Sequence, residues 1–140
     1  MRITRELYAE IVAHARADAP DECCGLVSSR DGQAIEVFRI ENTAHSPLRY
    51  LMNGDEQLRA FMTIEDAGLD IGIIYHSHTR SAPYPSQTDI NLAFFPESDL
   101  ALHPGSIYVI VGLASGSEAL VRAFTFPDRL TVVEEMLEIV

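Results

Sequence analysis

Apolar residues recur every three or four positions in two stretches of the chain, and this spacing predicts two amphipathic helices. The first helix extends to about residue 17, and Thr4 is a suitable N-terminal cap for it. The second begins at Asn53 or Asp55 and ends at Ala67, where Gly68 is a suitable C-terminal cap. The apolar positions of the first helix are Leu7, Tyr8, Ile11, Val12 and Ala15.

Elsewhere the apolar residues form short runs or alternate with polar residues, a pattern that is typical of strands. An Arg-Asp-Gly sequence at 30–32 separates the first two runs and predicts a hairpin turn. A third helix is predicted from residue 86 to residue 94 or 95, before Pro96. Strands are predicted at 23–29, 34–40, 48–52, 71–78, 106–113 and 119–126, and an extended or mixed segment at 129–139.

The order of these elements is helix, hairpin, helix, strand, helix and further strands, which predicts a mixed sheet flanked by helices. The predicted fold class is therefore α/β in the broad sense (α+β). A chain of 140 residues without repeats or linker-like stretches predicts a single domain over residues 1–140. The longest apolar runs have strand length, and the N-terminus lacks the apolar core of a signal peptide, so the expected location is the cytoplasm.

The formal net charge of -11 argues against two classes of partner. Without a basic patch the chain cannot displace the counterions of nucleic acid, and it is equally unsuited to an anionic membrane surface. Its two cysteines, Cys23 and Cys24, are adjacent, a spacing that rarely permits a disulfide. Both are expected to be free thiols in a reducing compartment.

Two histidines and an aspartate provide the candidate chemistry. His76 and His78 are two residues apart in a predicted strand, so their side chains project from the same face. Asp89 lies in the first turn of the next predicted helix, from which it can reach that face. Two imidazoles and one carboxylate form a ligand set of catalytic zinc sites, which keep a fourth position open. The pattern predicts a Zn²⁺ site, although such ligands also accept other divalent metals.

Each of these residues also has a purely structural interpretation. His-x-His pairs occur in many strands without a metal, and Ser86-x-x-Asp89 matches the capping box that begins many helices. A zinc hydrolase further needs a general base that is not itself a ligand. Glu22, directly before the first predicted strand, is the candidate, and a solvated loop acid is the alternative that its position alone favours.

Taken together, these residues resemble the signature of the JAMM (JAB1/MPN/Mov34) metallopeptidases. The matching residues are Glu22-x-Cys24-Gly25, His76-x-His78 and, after seven further residues, Ser86-x-x-Asp89. The resemblance covers nearly the whole chain. Segment 42–58 is similar to the short bacterial members of the family. Segments 75–79 and 84–86 are similar to the subgroup of them that acts on ubiquitin-like sulfur carriers.

The resemblance implies a JAB1/MPN fold, which is cytidine-deaminase-like, and a zinc ion held by His76, His78 and Asp89. It implies that Glu22 is the general base and that the hydroxyl of Ser86 stabilises the oxyanion of the tetrahedral intermediate. The implied partner and substrate is a ubiquitin-like sulfur-carrier protein with a C-terminal Gly-Gly. Hydrolysis after its last glycine would release cysteine.

Three alternatives stay open from the sequence. An isopeptidase that removes a ubiquitin-like modifier from protein lysines would use the same chemistry with a different leaving group. A non-catalytic MPN scaffold typically lacks the metal ligands, and a zinc deaminase would require His-x-Glu with a later Cys-x-x-Cys, which does not occur here. Among the other histidines, His14 is expected to face solvent on its helix, and His45 and His103 to lie in surface loops.

Overall fold

The computed structural model describes residues 1–140 as one eight-stranded sheet with helices on both of its faces. The helices are α1 (Arg5–Asp18), α2 (Gly54–Asp66) and α3 (Gln87–Asn91). The strands are β1 (Arg2–Ile3), β2 (Cys24–Arg30), β3 (Gln33–Ile40), β4 (Asp70–His78), β5 (Ile107–Gly112), β6 (Leu120–Asp128), β7 (Thr131–Glu135) and β8 (Glu138–Ile139). Their order in the sheet is β7-β6-β5-β4-β2-β3-β1-β8. None of the helices combines the length and the apolar character that crossing a bilayer requires.

Strand β4, which carries both histidines of the motif, lies in the middle of the sheet. It pairs antiparallel with β2 and parallel with β5. Parallel pairing also joins β1 to β3 and to β8, and the remaining neighbours are antiparallel, so the sheet is mixed as the sequence predicted. Because β4 is central, all of its residues from Gly72 to His78 are buried.

Alternate residues of the central strands build two apolar cores, one on each face of the sheet. Ile73 and Tyr75 belong to the core under α1. Ile74 belongs to the core under α2 and α3. His76 and His78 follow Ile74 at intervals of two, so strand alternation directs their side chains to the face that α2 and α3 cover.

Both long helices begin where the sequence predicted, α1 after the predicted cap Thr4 and α2 between the two candidate starts, with Asn53 as its cap. The hydroxyl of Thr4 accepts the N–H of Leu7 at 3.3 Å, and the side chain of Asn53 accepts the N–H of Glu56 at 3.0 Å. After α2 the chain reverses through Gly68, whose φ of +69° lies in the left-handed region that favours glycine.

The strand predicted at 48–52 is wrong. Only an isolated bridge between Asn42 and Met52 forms in this region. The side chain of Asn42 satisfies the loop backbone in place of a neighbouring strand, since its Oδ1 accepts the N–H of Leu51 at 2.9 Å and its Nδ2 donates to the carbonyl of Arg49 at 3.1 Å. A loop whose backbone is bonded by one side chain in this way has no periodic pattern in its sequence.

The predicted length of the third helix is also wrong. It ends at Asn91, because the chain then turns and forms an isolated bridge between Phe94 and Ala101. The two-residue strand β1 is too short to show an alternating pattern and was not predicted. Strand β8, with which it pairs in parallel, lies with β7 in the segment predicted as extended or mixed.

His14 does not face solvent, contrary to the prediction. It lies three residues after Ile11 on α1, which places it on the buried side of the helix, and only 5% of it is exposed. Its Nδ1 is hydrogen-bonded to the hydroxyl of Tyr75 at 2.7 Å, and its Nε2 lies 3.3 Å from a carboxylate oxygen of Asp18. Burial lowers the pKa of His14.

We expect this buried histidine to make folding stability fall as the pH drops below about 6.5. An unfolded histidine takes up its proton at about pH 6.5, whereas folded His14 does so only at lower pH, so acid favours the unfolded chain. Thermal unfolding of the metal-free protein at about pH 8 and about pH 5 measures the effect. The decrease in Tm between the higher and the lower pH should be smaller in His14→Gln than in the wild type. An equal decrease in both proteins would contradict the expectation.

Candidate metal centre

His76, His78 and Asp89 converge on one point at the end of β4. Nε2 of His76 lies 3.1 Å from Nε2 of His78, and Oδ2 of Asp89 lies 3.1 Å from the first nitrogen and 3.0 Å from the second. All three residues are buried, with exposed fractions of 2%, 5% and 5%. The structure therefore brings together the three residues that the sequence singles out as metal ligands.

A hydrogen bond of His78 leaves its other ring nitrogen free to face Asp89. Its Nδ1 lies 2.8 Å from the carbonyl oxygen of Ala82, a contact that only an N–H can satisfy. With its proton on Nδ1, His78 presents a lone pair at Nε2, which faces the Asp89 oxygen at 3.0 Å. Two acceptors at that distance repel each other unless a proton or a metal ion lies between them.

The three atoms lie a few tenths of an ångström closer together than the ligands of a tetrahedral zinc ion. Bonds of about 2.0–2.2 Å at tetrahedral angles separate two ligand atoms by about 3.3–3.6 Å. The three distances here are 3.0, 3.1 and 3.1 Å. Two imidazoles and one carboxylate are the donor types of catalytic zinc sites, so the residues suit a divalent ion of this kind.

The first turn of α3 determines the position of Asp89. The Oγ of Ser86 accepts the N–H of Asp89 at 3.0 Å, and Oδ2 of Asp89 accepts the N–H of Ser86 at 2.9 Å. The capping box predicted from the Ser-x-x-Asp pattern therefore forms. It also points the carboxylate at the two histidines, so the structural and the metal-binding interpretations of this pattern are compatible.

The titration of the three residues reflects their close contact. Burial raises the pKa of Asp89, but the hydrogen bonds with His76 and His78 outweigh burial and hold this pKa well below its usual range. Burial lowers the pKa of His76, which favours the neutral form that binds metals. Burial acts in the same direction on His78, but its bonds with Asp89 and Ala82 prevail and raise its pKa. Protons and metal ions therefore compete for this site.

Glu22 lies next to the triangle. Strand β2 runs antiparallel to β4 with Cys24 opposite His76, so Glu22 extends toward the level of His78 on the same face. Glu22 is 3% exposed, and its Oε1 has no hydrogen-bond partner. Burial raises the pKa of its carboxyl to about 7. Glu22 is therefore a buried acid able to exchange protons near neutral pH, and the alternative of a solvated loop acid is wrong.

Of the other polar residues in or beside the motif, Ser86 is exposed, whereas Ser77 and the two cysteines are buried. Ser86 is exposed, and its Oγ accepts a bond from Asp89, which leaves the hydroxyl hydrogen available to donate. Ser77 has a structural contact, as expected for the opposite face of β4, because its Oγ accepts the N–H of Cys23 at 2.8 Å. Cys23 and Cys24 are fully buried free thiols whose pKa burial raises, to about 12 for Cys23, so neither is a nucleophile.

Tyr50 also belongs to this site; the sequence placed it in a segment that resembles the family but did not predict its contact with His76. Its ring stacks on the imidazole of His76 with the centroids 4.5 Å apart and 27° between the planes. It lies in the loop between β3 and α2, and an aromatic residue in a loop carries no pattern that points to a metal ligand. The ring also lines an apolar cavity of about 190 Å³, together with His103, which lies in a loop as predicted and is half-buried.

The chain is similar to known proteins over almost its whole length. Residues 4–126 match the family model described as prokaryotic homologs of the JAB domain. The CysO-cysteine peptidase of Mycobacterium tuberculosis is 34% identical over 140 residues, which cover 99% of this chain and 90% of the relative. The probable TtuB-protein conjugate cleaving protease of Thermus thermophilus is 33% identical over 127 residues, 90% of this chain and 76% of the relative. The solution structure of protein DSY2949 from Desulfitobacterium hafniense has a TM-score of 0.79 at 30% identity and covers 99% of this chain and 91% of that one.

Proposed function

Because the chain belongs to the prokaryotic family of JAB domains, we propose that it is a zinc-dependent hydrolase of ubiquitin-like sulfur-carrier proteins. It would cleave the bond after the carrier's C-terminal glycine and release cysteine. One observation supports this most strongly: a buried, unpartnered carboxylate, that of Glu22, lies beside the convergent side chains of His76, His78 and Asp89. The similarity to the CysO-cysteine peptidase over 99% of the chain supports cysteine as the leaving group.

Each residue of the site has its own task in this proposal. His76, His78 and Asp89 would hold the metal ion, and their donor types favour zinc. The bound ion would polarise the scissile carbonyl and make water a stronger nucleophile near neutral pH. Glu22 would take a proton from the attacking water at Oε1 and transfer it to the departing amine. The hydroxyl of Ser86 would donate a hydrogen bond to the carbonyl oxygen as negative charge develops there.

We also propose a cytoplasmic location and a single domain over residues 1–140. Cys23 and Cys24 are free thiols, which suits a reducing compartment. Every strand of the chain belongs to one sheet, which suits a single domain.

The tail of the carrier needs a path to the metal site, and the apolar cavity beside Tyr50 is the candidate. The cavity has a volume of about 190 Å³, and its lining includes Tyr50, Met52 and Leu92. Tyr50 stacks on His76, so one aromatic ring separates this cavity from the nearest metal ligand. We infer that the tail lies extended there, because two glycines let the backbone pass close to the site without a clash of side chains.

A bulky residue in place of the carrier's penultimate glycine should therefore block cleavage. We expect a loss of about 100-fold or more in turnover, because a misplacement of the reacting bond by about 1 Å has an effect of that size. The measurement compares release of the leaving group from carriers with glycine and with valine at this position. The same change several residues earlier in the tail is the control, and normal turnover of the penultimate variant would refute the path.

A second candidate function is the removal of a ubiquitin-like modifier from protein lysines. It is favoured by a cavity of about 440 Å³ beside Glu22, whose lining holds five carboxylates and a single arginine. Such a surface attracts a lysine-rich segment and repels the free carboxylate of a departing cysteine. The relative from Thermus thermophilus, which is named for cleaving TtuB-protein conjugates, also supports it. The carboxylates are those of Asp18, Asp21, Glu22, Glu41 and Glu56.

A cleavage assay read by mass spectrometry separates the two functions. One substrate is a ubiquitin-like carrier that ends in Gly-Gly-Cys. In the other, the Gly-Gly terminus of the same carrier forms an isopeptide bond with the side chain of a lysine in a basic peptide. Both are run with and without a metal chelator. Chelator-sensitive release of cysteine alone supports the first proposal, and cleavage of the lysine conjugate alone supports the second.

The two negative results also have distinct meanings. A protein that binds zinc and cleaves neither substrate would overturn the catalytic proposal and favour a scaffold. A protein that binds no metal would overturn the assignment of His76, His78 and Asp89 as ligands.

A further inference from the structure

The two histidines of the site are held in different ways. His78 is fixed by the hydrogen bond from its Nδ1 to the carbonyl of Ala82 at 2.8 Å. The Nδ1 of His76 is buried and has no hydrogen-bond partner. A metal-binding imidazole almost always donates its other N–H to an acceptor, which fixes the orientation of the ring. The orientation of His76 must therefore come from packing.

The packing partner of His76 is Tyr50. The two rings are nearly parallel, with 27° between their planes and 4.5 Å between their centroids, and Tyr50 is only 7% exposed. The ring of His78 meets His76 at 60° with a centroid distance of 5.0 Å. Between these two neighbours the imidazole of His76 cannot rotate freely, so its Nε2 stays directed at Oδ2 of Asp89, 3.1 Å away.

The loop that carries Tyr50 is itself held by one buried side chain. Asn42, which is 6% exposed, accepts the N–H of Leu51 at 2.9 Å and donates to the carbonyl of Arg49 at 3.1 Å, on either side of Tyr50. Its Nδ2 also donates to the backbone carbonyl of Glu22 at 2.9 Å. The loop that supports a candidate ligand is thus tied to the segment that carries the candidate base.

We propose that Tyr50 is a positioning residue for His76 and that its stacked ring takes the place of the missing hydrogen bond. This inference rests on the metal site proposed above. Tyr50 acts only through the orientation of His76, which determines the affinity for the ion. Because stacking needs the ring and not the hydroxyl, phenylalanine should replace Tyr50 and an aliphatic residue should not.

Tyr108 provides a matched control for the test. It is 8% exposed and packs in the same core as Tyr50, but its ring lies against Phe126, with centroids 4.9 Å apart, and not against a histidine. A leucine at either position removes a buried tyrosine ring of the same size. Only the change at position 50 removes a contact with a metal ligand.

The experiment measures the zinc affinity of four proteins by competition with a chromophoric chelator. Relative to the wild type, Tyr50→Leu should bind zinc roughly 10- to 100-fold more weakly, the range seen when other supports of metal ligands are removed. Tyr50→Phe and Tyr108→Leu should bind it as the wild type does. Cobalt substitution gives a second measurement, in which only Tyr50→Leu should change the visible absorption of the bound ion.

Each contrary result has a distinct meaning. Equal zinc affinity in Tyr50→Leu and the wild type overturns this inference and leaves the proposed function intact. An equal loss in Tyr108→Leu also overturns it, because the cause would then be general destabilisation. A wild type without zinc affinity overturns the proposed function as well. If Tyr50→Leu does not fold, Tyr50→Met, with a flexible side chain that fills irregular space, is judged by the same criteria.

Discussion

Glu22→Gln is expected to keep its metal and to lose about 100- to 10,000-fold in turnover rate, the range that one general acid–base group contributes. Glutamine has nearly the shape of glutamate, but its amide cannot accept the proton of an attacking water. The three converging ligand atoms do not include Glu22, so its replacement leaves them in place. Turnover on a carrier substrate and the zinc content of the purified protein measure the two effects.

A loss of folding stability is not expected to cause the lower turnover rate of Glu22→Gln. In the metal-free protein, burial raises the pKa of Glu22 from 4.5 to about 7. The unfolded chain then loses its proton first as the pH rises, so this carboxyl lowers stability progressively between pH 4.5 and about 7. Glutamine removes the effect, and Glu22→Gln should unfold at a Tm no lower than that of the wild type above about pH 7.

The exposed Glu36 on β3 offers the matching control, because Glu36→Gln makes the same chemical change away from the site. It should retain both turnover and zinc. A wild-type rate in Glu22→Gln would show that another group takes the proton. Loss of zinc in Glu22→Gln would show that this carboxylate binds the ion.

His78→Ala is expected to lose the metal and the activity together. His78 supplies one of three ligand atoms and is the member whose orientation a hydrogen bond to Ala82 fixes. Its removal should weaken zinc binding by more than the roughly 10- to 100-fold that loss of an outer support costs. Activity should fall to the level of the wild type treated with a chelator. Zinc content and turnover, measured on the same preparation, test both statements.

His45→Ala serves as the control for zinc content, because His45 is an exposed loop histidine outside the triangle. Full zinc content in His78→Ala would mean that the ion binds elsewhere. Zinc loss without loss of activity would mean that hydrolysis does not depend on this site.

The placement of the candidate ligands could be predicted because it depends on local geometry. His76 and His78 share a face through the two-residue repeat of a strand, and Asp89 begins a helix through a pattern of four residues. Neither relation needs knowledge of distant parts of the chain. Gly25 of the same motif has a role in packing and not in the chemistry of the site. A Cβ at this position would overlap the ring of Tyr75, so only glycine lets β2 and β4 pack together here.

The surroundings of the ligands could not be predicted, because they depend on contacts between distant segments. The burial of Glu22 follows from the pairing of β2 with β4, and His14 is buried because Tyr75 reaches it from β4. The stack of Tyr50 on His76 follows from a loop that the side chain of Asn42 holds. A polar side chain that orders a loop leaves no periodic signal.

A single oxygen of Asp89 both caps α3 and faces the two histidines. Helix α3 has only five residues, too few to persist without anchors. In evolution, replacement of Asp89 is therefore opposed by two separate requirements, the start of α3 and the contacts with the two histidines. A descendant that abandoned catalysis and lost Asp89 would also lose the anchor of the turn that begins at Ser86. Retention of this aspartate alone would therefore not be a record of surviving activity.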